Sequence, residues 1–246
     1  LERPKALEGR DRLTDKEVAE LQQRANRLFA TGASDFAAGD AVFMAALEDR
    51  STFSSTTATA GADEMTIREF DHHTSLVTDP ADGRIPPMTA AGIARRNAMA
   101  ARAEHPTQAE DLTNAFRCIA WGVPRLGGRY GAGDYGFQQI VQVPGYVMLY
   151  FEIGHEYRLI PLDGRPHPPA NVRYWNGDSR GRWEGRTLVV DTTNFSEKSY
   201  FMGSSDGLHL VERFTRVSAD TITYQMTLDD PATWTRPWTF SMPLTL

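Results

Sequence analysis

The feature that most constrains the fold is a change in hydrophobic periodicity near Phe137. Before that residue apolar side chains recur at helical spacing, as in the run from Val18 to Leu28, whereas beyond it they alternate with polar ones. Alternation with a period of two is typical of half-buried β-strands. The sequence therefore predicts a helical or irregular part over residues 1–136, packed on or over a β-rich part at 137–246, and both belong to one structural unit.

The β-rich part divides into short segments separated by turn residues. Pro144-Gly145 and Glu184-Gly185 are tight hairpin connections. A series of sequential antiparallel strands needs closure or strong curling to hide its edges. The predicted fold class is mainly β with N-terminal helices, an antiparallel meander that forms a lipocalin-like β-barrel or a strongly curled sheet. The predicted strands are 137–143, 146–153, 156–161, 172–175, 180–184, 187–193, 207–217, 220–228 and 235–242.

The N-terminal part carries the signals of helix starts. Thr14–Glu17 reads TDKE, a capping box in which the Thr hydroxyl and the Glu carboxylate bind the unpaired amides of the first turn. The helix that it opens is predicted to continue to about Ala30. Further short helices are predicted over 41–48, from a cap at Thr89 to about 103, and over 110–117.

Composition narrows the classes of partner and the location. A net charge of −6 and a pI near 5.5 argue against nucleic acid, whose binding proteins are basic. No apolar run approaches the length of about 20 residues that spans a bilayer. A single cysteine, Cys118, allows no intrachain disulfide. The chain starts with LERPKALEGR, without an initiator Met or a signal peptide, which predicts a mature periplasmic or secreted protein after signal removal.

The sharpest chemical signal is Glu152, which shares a strand face with Tyr150 and is followed by His155. A carboxylate in an aromatic pocket loses hydration, so its pKa rises and it can act as an acid or base near neutrality. The alternative is a structural ion pair of Glu152 with Arg158 or Arg213 beside a surface histidine.

Three further ionisable side chains lie in or beside predicted strands. Asp191 sits in a strand interior among apolar neighbours, so it needs a partner, for which an arginine is the natural choice. His167 lies between prolines in a loop, and His209 opens a strand. Together with Glu152 and His155, the two histidines could form a three-His or two-His-one-carboxylate metal site, although their spacing matches no known ligand motif.

The candidates for substrate binding are arginine and aromatic side chains, together with His167 in its Pro-bounded loop. Arg165 or Arg213 is predicted to hold an anionic or carbonyl oxygen. Tyr150 and Trp175 could stack on an aromatic or sugar ring, and Tyr224 is a further candidate in the barrel. The segments 82–87 and 163–169 share an Asp-Gly-Arg start, which indicates a turn in each, or alternatively two arginines that contact one anionic ligand.

A set of short segments from about Thr74 onward carries a family pattern. The segments are DPADGRIPP at 79–87, Arg117-Cys118, GVPR at 122–125, IVQ at 140–142, His155, LDGRPH at 162–167, GDSRGRWEGRTLVVDT at 177–192, VERF at 211–214 and the run 229–238. In these segments the chain resembles a large set of exported bacterial proteins of unassigned function. The resemblance implies export to the periplasm and a β-rich fold.

Absent motifs narrow the reaction class. The sequence has no G-x-S-x-G elbow, phosphate-binding loop, H-E-x-x-H helix or dinucleotide fingerprint. The favoured function is a cofactor-independent acid–base enzyme, a lyase, isomerase or hydrolase, acting on a small aromatic, terpenoid or glycosidic molecule in the barrel. Glu152 or Asp191 is the predicted base and His155 its acid partner, with His209 as a further catalytic candidate. The alternatives are a periplasmic small-molecule carrier without catalysis and a metal-dependent enzyme that uses His and Glu ligands.

Overall fold

The computed structural model divides the chain into two compact units. One comprises Leu1–Leu76, Ala81–Gly83 and Arg125–Phe137, and the other comprises Val77–Pro80, Arg84–Pro124 and Gln138–Leu246. No helix in the described part of the chain is long and apolar enough to cross a membrane. The residues that the structure describes are 2–30, 39–50, 72–112, 114, 117, 119, 123, 138–151, 156–199 and 201–245.

The first unit contains helices α1 (Asp15–Ala30) and α2 (Gly39–Leu47). The predicted capping box opens α1, because the Thr14 amide donates to Glu17 Oε2 at 2.8 Å and the Glu17 amide donates to Thr14 Oγ1 at 3.3 Å. Both helices were predicted from the sequence and are confirmed. Their apolar faces pack together in a small core of Leu7, Leu13, Leu21, Ala25, Ala45 and Ala46.

The second unit is mainly β, with antiparallel pairing throughout its described strands. A six-stranded sheet runs in the order β1 (Val77–Asp79), β9 (Trp238–Thr245), β8 (Thr221–Asp229), β7 (His209–Arg216), β6 (Thr187–Thr193) and β5 (Asp178–Glu184). A three-stranded sheet contains β2 (Gln138–Val143), β3 (Tyr146–Phe151) and β4 (Tyr157–Pro161). The prediction of a mainly β, antiparallel fold with few helices is thus confirmed, and the described strands form two sheets with no closed barrel among them.

Two local predictions differ from the structure. Residues 172–175 form no strand, because the chain there is a loop in which Tyr174 makes only an isolated bridge to Phe195 before it turns at Gly177. The helix predicted over 110–117 is represented in the described residues by a short 3-10 turn at Ala109–Asp111. The helix predicted after Thr89 is confirmed as α3 (Ala90–Glu104), with the Thr89 hydroxyl accepting from the Gly92 amide at 3.0 Å.

One face of the six-stranded sheet carries the core of this unit. Its central residues are Val190, Glu212, Met226 and Phe240, which lie side by side in the register of β6, β7, β8 and β9 and are all buried. The three-stranded sheet contacts this face at Gly181 of β5, where an added Cβ would lie only 2.7 Å from side-chain atoms of Ile160 and Leu162. At this point β5 and the end of β4 are therefore closely packed.

A buried polar network joins the two sheets. Arg158 of β4 donates to both carboxylate oxygens of Glu212, at 3.1 and 2.6 Å, and also to Ser179 and Thr192. The Tyr224 hydroxyl donates to Glu212 Oε1 at 2.7 Å. Burial opposes the charge of Arg158, but the adjacent Glu212 carboxylate outweighs that effect and raises its pKa. Burial, reinforced by Glu212, raises the pKa of Tyr224 well above its ordinary value.

Candidate functional site

The candidate site lies on the opposite face of the six-stranded sheet, where residues alternate with those of the core. Asp178 and Arg180 of β5, Asp191 of β6 and His209 of β7 all project from this face by the strand register. The sequence predicts that the catalytic residues lie inside a barrel. The structure instead places the described catalytic candidates on the side of the sheet that faces away from the packed interior.

The loop between β4 and β5 delivers His167 to this face. Asn194, at the end of β6, holds the loop by donating from Nδ2 to three backbone carbonyls, those of Pro168, Pro169 and Val172, at 3.3, 3.1 and 2.9 Å. A second restraint is Gly177, whose φ of 68° and close approach to Thr192 leave no room for a side chain. The loop therefore presents His167 from a well-anchored backbone.

His167 bridges two carboxylates of neighbouring strands. Its Nδ1 lies 2.6 Å from Asp178 Oδ2 and its Nε2 lies 2.9 Å from Asp191 Oδ1. Arg180 Nη2 binds the other oxygen of Asp178 at 3.0 Å, and Arg180 Nε donates to the Pro166 carbonyl at 3.3 Å. The imidazole is thus held at both nitrogens, and the loop that carries it is tied to the same arginine.

Asp191 connects His167 to His209. Asp191 lies opposite Val211 in the register, so His209, two residues earlier on β7, is its diagonal neighbour. His209 Nε2 lies 2.9 Å from Asp191 Oδ2, the oxygen that His167 does not use. The hydrogen bond from His209, followed by that from His167, lowers the pKa of Asp191. The same hydrogen bond to Asp191, with a smaller contribution from Asp229, raises the pKa of His209 above its ordinary value.

His209 is the member of this cluster that is best placed to exchange a proton with a bound molecule. Its side chain is 40% exposed, the largest fraction among the four linked His and Asp side chains. Its second ring nitrogen, Nδ1, makes no hydrogen bond within the described part of the chain. An imidazole with one nitrogen held by a carboxylate and the other accessible is the arrangement by which an Asp–His pair acts as a general base or acid.

The structure therefore brings together three residues that the sequence singled out: His167, Asp191 and His209. The arginine partner predicted for Asp191 is wrong, since two imidazoles bind that carboxylate. Arg180 does lie opposite Asp191 in the register, but it pairs with Asp178. Asp191, for which the sequence predicts an arginine partner, instead belongs to a cluster with two histidines.

The two arginines predicted to hold substrate lie outside this cluster and are paired locally. Arg165 donates through Nε to Asp163 Oδ2 at 2.6 Å, and the hydrogen bonds from Arg165 lower the pKa of Asp163 to about 2. Arg213 donates to Glu184 Oε2 at 2.7 Å on the same sheet face as His209. At either arginine, an anionic substrate would compete with a carboxylate that is already bound.

The predicted aromatic contacts are dispersed. Tyr150 lies on the face of the three-stranded sheet that points away from the core, opposite Tyr157, which is 64% exposed. Trp175 lies in the loop just before Asp178 and is 37% exposed. Tyr224 is buried and bonded to Glu212, so its observed role is in the core. Glu152 and His155, the sharpest sequence candidates, lie outside the described residues.

Asp178 is the functional candidate that the sequence did not assign. Because the predicted strand began at residue 180, Asp178 was left in a loop, whereas the structure extends β5 back to it. The alternation of side chains along a strand could have assigned Asp178 to the site. When the strand starts at residue 178, Asp178 and Arg180 lie on the same face.

Among the described residues, no group of three or more His, Cys, Asp or Glu side chains is positioned to hold one metal ion. Two members of the predicted metal site, Glu152 and His155, lie outside the described residues. The other two, His167 and His209, bind different oxygens of Asp191.

Comparison with known proteins identifies no relative on which an assignment could rest. The chain matches no protein-family model, no curated protein and no solved structure. The function proposed below is therefore based on the geometry of this cluster.

Proposed function

We propose that this protein is a cofactor-independent acid–base enzyme, a lyase, isomerase or hydrolase, in which His209 exchanges a proton with the substrate through Nδ1. The observation that carries the proposal is the Asp191–His209 hydrogen bond of 2.9 Å beneath a partly exposed imidazole. Asp191 orients the ring and stabilises its protonated form, as the carboxylate does in other Asp–His pairs. His167 holds the second oxygen of Asp191 and so limits the rotation of that carboxylate.

The electrostatics of the pair suit proton transfer near neutral pH. An acid–base group is most effective when its pKa lies close to the working pH, and histidine is the side chain nearest to that condition. The hydrogen bond from His209 to Asp191 raises the pKa of His209, which increases the protonated fraction of the ring near neutrality. The same side chain can therefore take a proton in one step and return it in the next.

The substrate class follows from the surroundings of the cluster. Tyr174 and Trp175, 46% and 37% exposed, precede Asp178 in the loop that carries His167. Exposed aromatic side chains bind apolar or sugar rings through their faces. We assign the substrate to small aromatic, terpenoid or glycosidic molecules on this basis.

Two finer features of the proposal rest on sequence arguments. Location in the periplasm or outside the cell rests on the resemblance to exported bacterial proteins. Closure of the two sheets into a lipocalin-like barrel rests on the series of strands and the need to hide their edges. The proposed acid–base role of His209 requires neither feature.

The test is turnover of a library of aromatic, terpenoid and glycosidic compounds by the wild-type protein and by His209→Gln. General acid–base groups contribute about 10²–10⁴-fold to rate, so we expect His209→Gln to lower kcat by about 100-fold or more with little change in KM. His105→Gln is the matched control, since His105 is an exposed histidine that caps α3, outside the cluster. It should retain full turnover.

Other outcomes would overturn the proposal in identifiable ways. If the wild type binds library compounds and transforms none, the protein is a carrier. If His209→Gln turns over a substrate as fast as the wild type, another residue performs the proton transfer. A stoichiometric transition metal in the purified protein would replace the cofactor-free mechanism with the metal-dependent alternative.

A further inference from the structure

The candidate site continues beyond the His209–Asp191 pair as an unbroken series of hydrogen bonds. Arg180 binds Oδ1 of Asp178, while Oδ2 of Asp178 binds Nδ1 of His167. Nε2 of His167 binds Oδ1 of Asp191, whose Oδ2 binds His209. Each of these contacts uses a different side-chain atom. A displacement of one side chain in the series therefore alters the hydrogen bond that holds the next.

We propose that Asp178 is a positioning residue for the acid–base pair: it fixes the ring of His167, and His167 in turn fixes one oxygen of Asp191 and leaves the other directed at His209. The proposal rests on the proposed function only in taking His209 as the proton-exchanging group. Asp178 itself does not touch His209 and acts through His167.

Asp178 could act on His209 through the position of the His167 ring or through its own charge. The contact of Asp178 with His167, at 2.6 Å, is the shortest of the three His–Asp contacts in the series, since those of Asp191 with His167 and with His209 are both 2.9 Å. An asparagine at position 178 keeps an oxygen that can accept from Nδ1 of His167, whereas an alanine keeps no acceptor. Both changes remove the charge of the carboxylate, so a difference between them reports the hydrogen bond.

The positioning role predicts different results for Asp178→Asn and Asp178→Ala. Asp178→Asn should keep the His167 ring in place, whereas Asp178→Ala should release it. A released ring no longer holds one oxygen of Asp191, so the hydrogen bond of Asp191 to His209 should weaken and the pKa of His209 should fall. If Asp178 acted only as a distant negative charge, both variants would lower the pKa of His209 by the same amount, since both remove that charge.

The experiment is an NMR titration of the histidine ring signals in the full chain labelled with 15N-histidine. We expect Asp178→Ala to lower the pKa of His209 by about one unit, because Asp191 is no longer held in place, and Asp178→Asn to lower it by less. Asp191→Asn should lower it. Asp229→Asn is the matched control, since Asp229 lies opposite His209 on β8 and outside the hydrogen-bonded series, and its removal should lower the pKa of His209.

Within the described strands β5 to β8, charged or titratable side chains share this face with His209, together with His167 of the loop: they are Asp178, Arg180, Arg182 and Glu184 on β5, Asp191 on β6, Arg213 on β7 and Asp229 on β8. Equal pKa values of His209 in Asp178→Asn and Asp178→Ala would overturn the proposal. Should Asp178→Ala fail to fold, Asp178→Val also removes the charge and the acceptor, suits a strand and is expected to give the same result.

The outcome is separable from that of the proposed function, because the titration needs no substrate. A lower pKa of His209 in Asp178→Ala than in Asp178→Asn, together with full turnover by His209→Gln, would leave the positioning series intact and remove the proposed function. Equal pKa values in the two Asp178 variants together with a 100-fold loss in His209→Gln would do the reverse. If both hold, the pH at which kcat rises should move with the pKa of His209.

Discussion

Asp191 illustrates how one residue acquires its role from neighbours that are distant in sequence. Its side chain is 30% exposed, so it could remain ionised without a partner, yet both oxygens accept from imidazoles of different elements. Such partly exposed ion pairs contribute modestly to stability, about 0.2–1 kcal/mol. Their larger effect is to hold rings in one orientation and to shift the protonation of the groups that they join.

The shifts at Asp191 and His209 predict a pH window for their contribution to folding. Folding lowers the pKa of Asp191 below 3.8, so its contribution is complete above that value and is lost as the pH falls through the lowered one. Folding raises the pKa of His209 above 6.5, so its contribution is complete below that value and is lost as the pH rises through the raised one. The pair should therefore stabilise the protein most at about pH 4–6.5.

A double-mutant cycle measures this window. With Asp191→Asn, His209→Gln and the double variant, urea unfolding should give a coupling free energy of about 0.5–1 kcal/mol near pH 5.5 and a smaller one near pH 9. Equal coupling free energies at the two pH values would contradict the prediction that folding lowers the pKa of Asp191 and raises that of His209.

The loop between β4 and β5 is the element on which the site depends. It contains three prolines close to His167, which stiffen the backbone, and it is anchored by Asn194 and by the close packing of Gly177. A Cβ at Gly177 would lie 2.7 Å from Thr192 Cγ2 and from the Thr193 carbonyl oxygen. The position of Asp178, the next residue, thus depends on a glycine.

Gly177→Ala is expected to destabilise the protein by about 3 kcal/mol, since a left-handed backbone costs about 1–2 kcal/mol and overpacking about 1–3 kcal/mol more. Gly185→Ala is the matched control, because Gly185 has a φ of 59° with nothing within 4 Å of the added Cβ. It should cost only about 1–2 kcal/mol. Equal losses in urea unfolding of the two variants would show that the loop accommodates the methyl group at no cost.

At the scale of the whole second unit, the two sheets are joined by a buried charge pair. Arg158 and Glu212 have side chains that are 4% and 1% exposed. Removing one member of such a pair leaves an uncompensated buried charge, which costs about 3–5 kcal/mol, whereas replacing both by apolar residues costs far less. Glu212 also accepts the Tyr224 hydroxyl, so three strands depend on one carboxylate.

We therefore expect Glu212→Gln to lower the free energy of unfolding by about 3–5 kcal/mol, and Arg158→Met combined with Glu212→Leu to lower it by much less than the sum of the two single changes. Urea unfolding of Glu212→Gln, Arg158→Met, Glu212→Leu, the double variant and the wild type provides the measurement. Additive losses would show that the two side chains stabilise the sheets independently.

The sequence predicted the parts of this fold that local chemistry controls. The capping box at Thr14 and the cap at Thr89 start helices as predicted, because capping is decided within a few residues. Strands β6 and β8 were located to within a residue at each end, because alternation marks which side chains a sheet buries. The segment 172–175 was misassigned, since short apolar runs satisfy a strand pattern even where no neighbouring strand exists to pair with them.

What only the tertiary structure decided is which face of each strand meets which neighbour. Alternation separates Val190 from Asp191 but does not say that His167, from a loop 24 residues earlier, reaches the same carboxylate as His209. Nor does it say that Glu212 binds Arg158 while Asp191 binds two imidazoles. Strand pairing and loop placement depend on contacts between residues far apart in the chain. The amino-acid sequence by itself therefore determined the elements and the candidate residues, whereas packing determined which of those residues form a site.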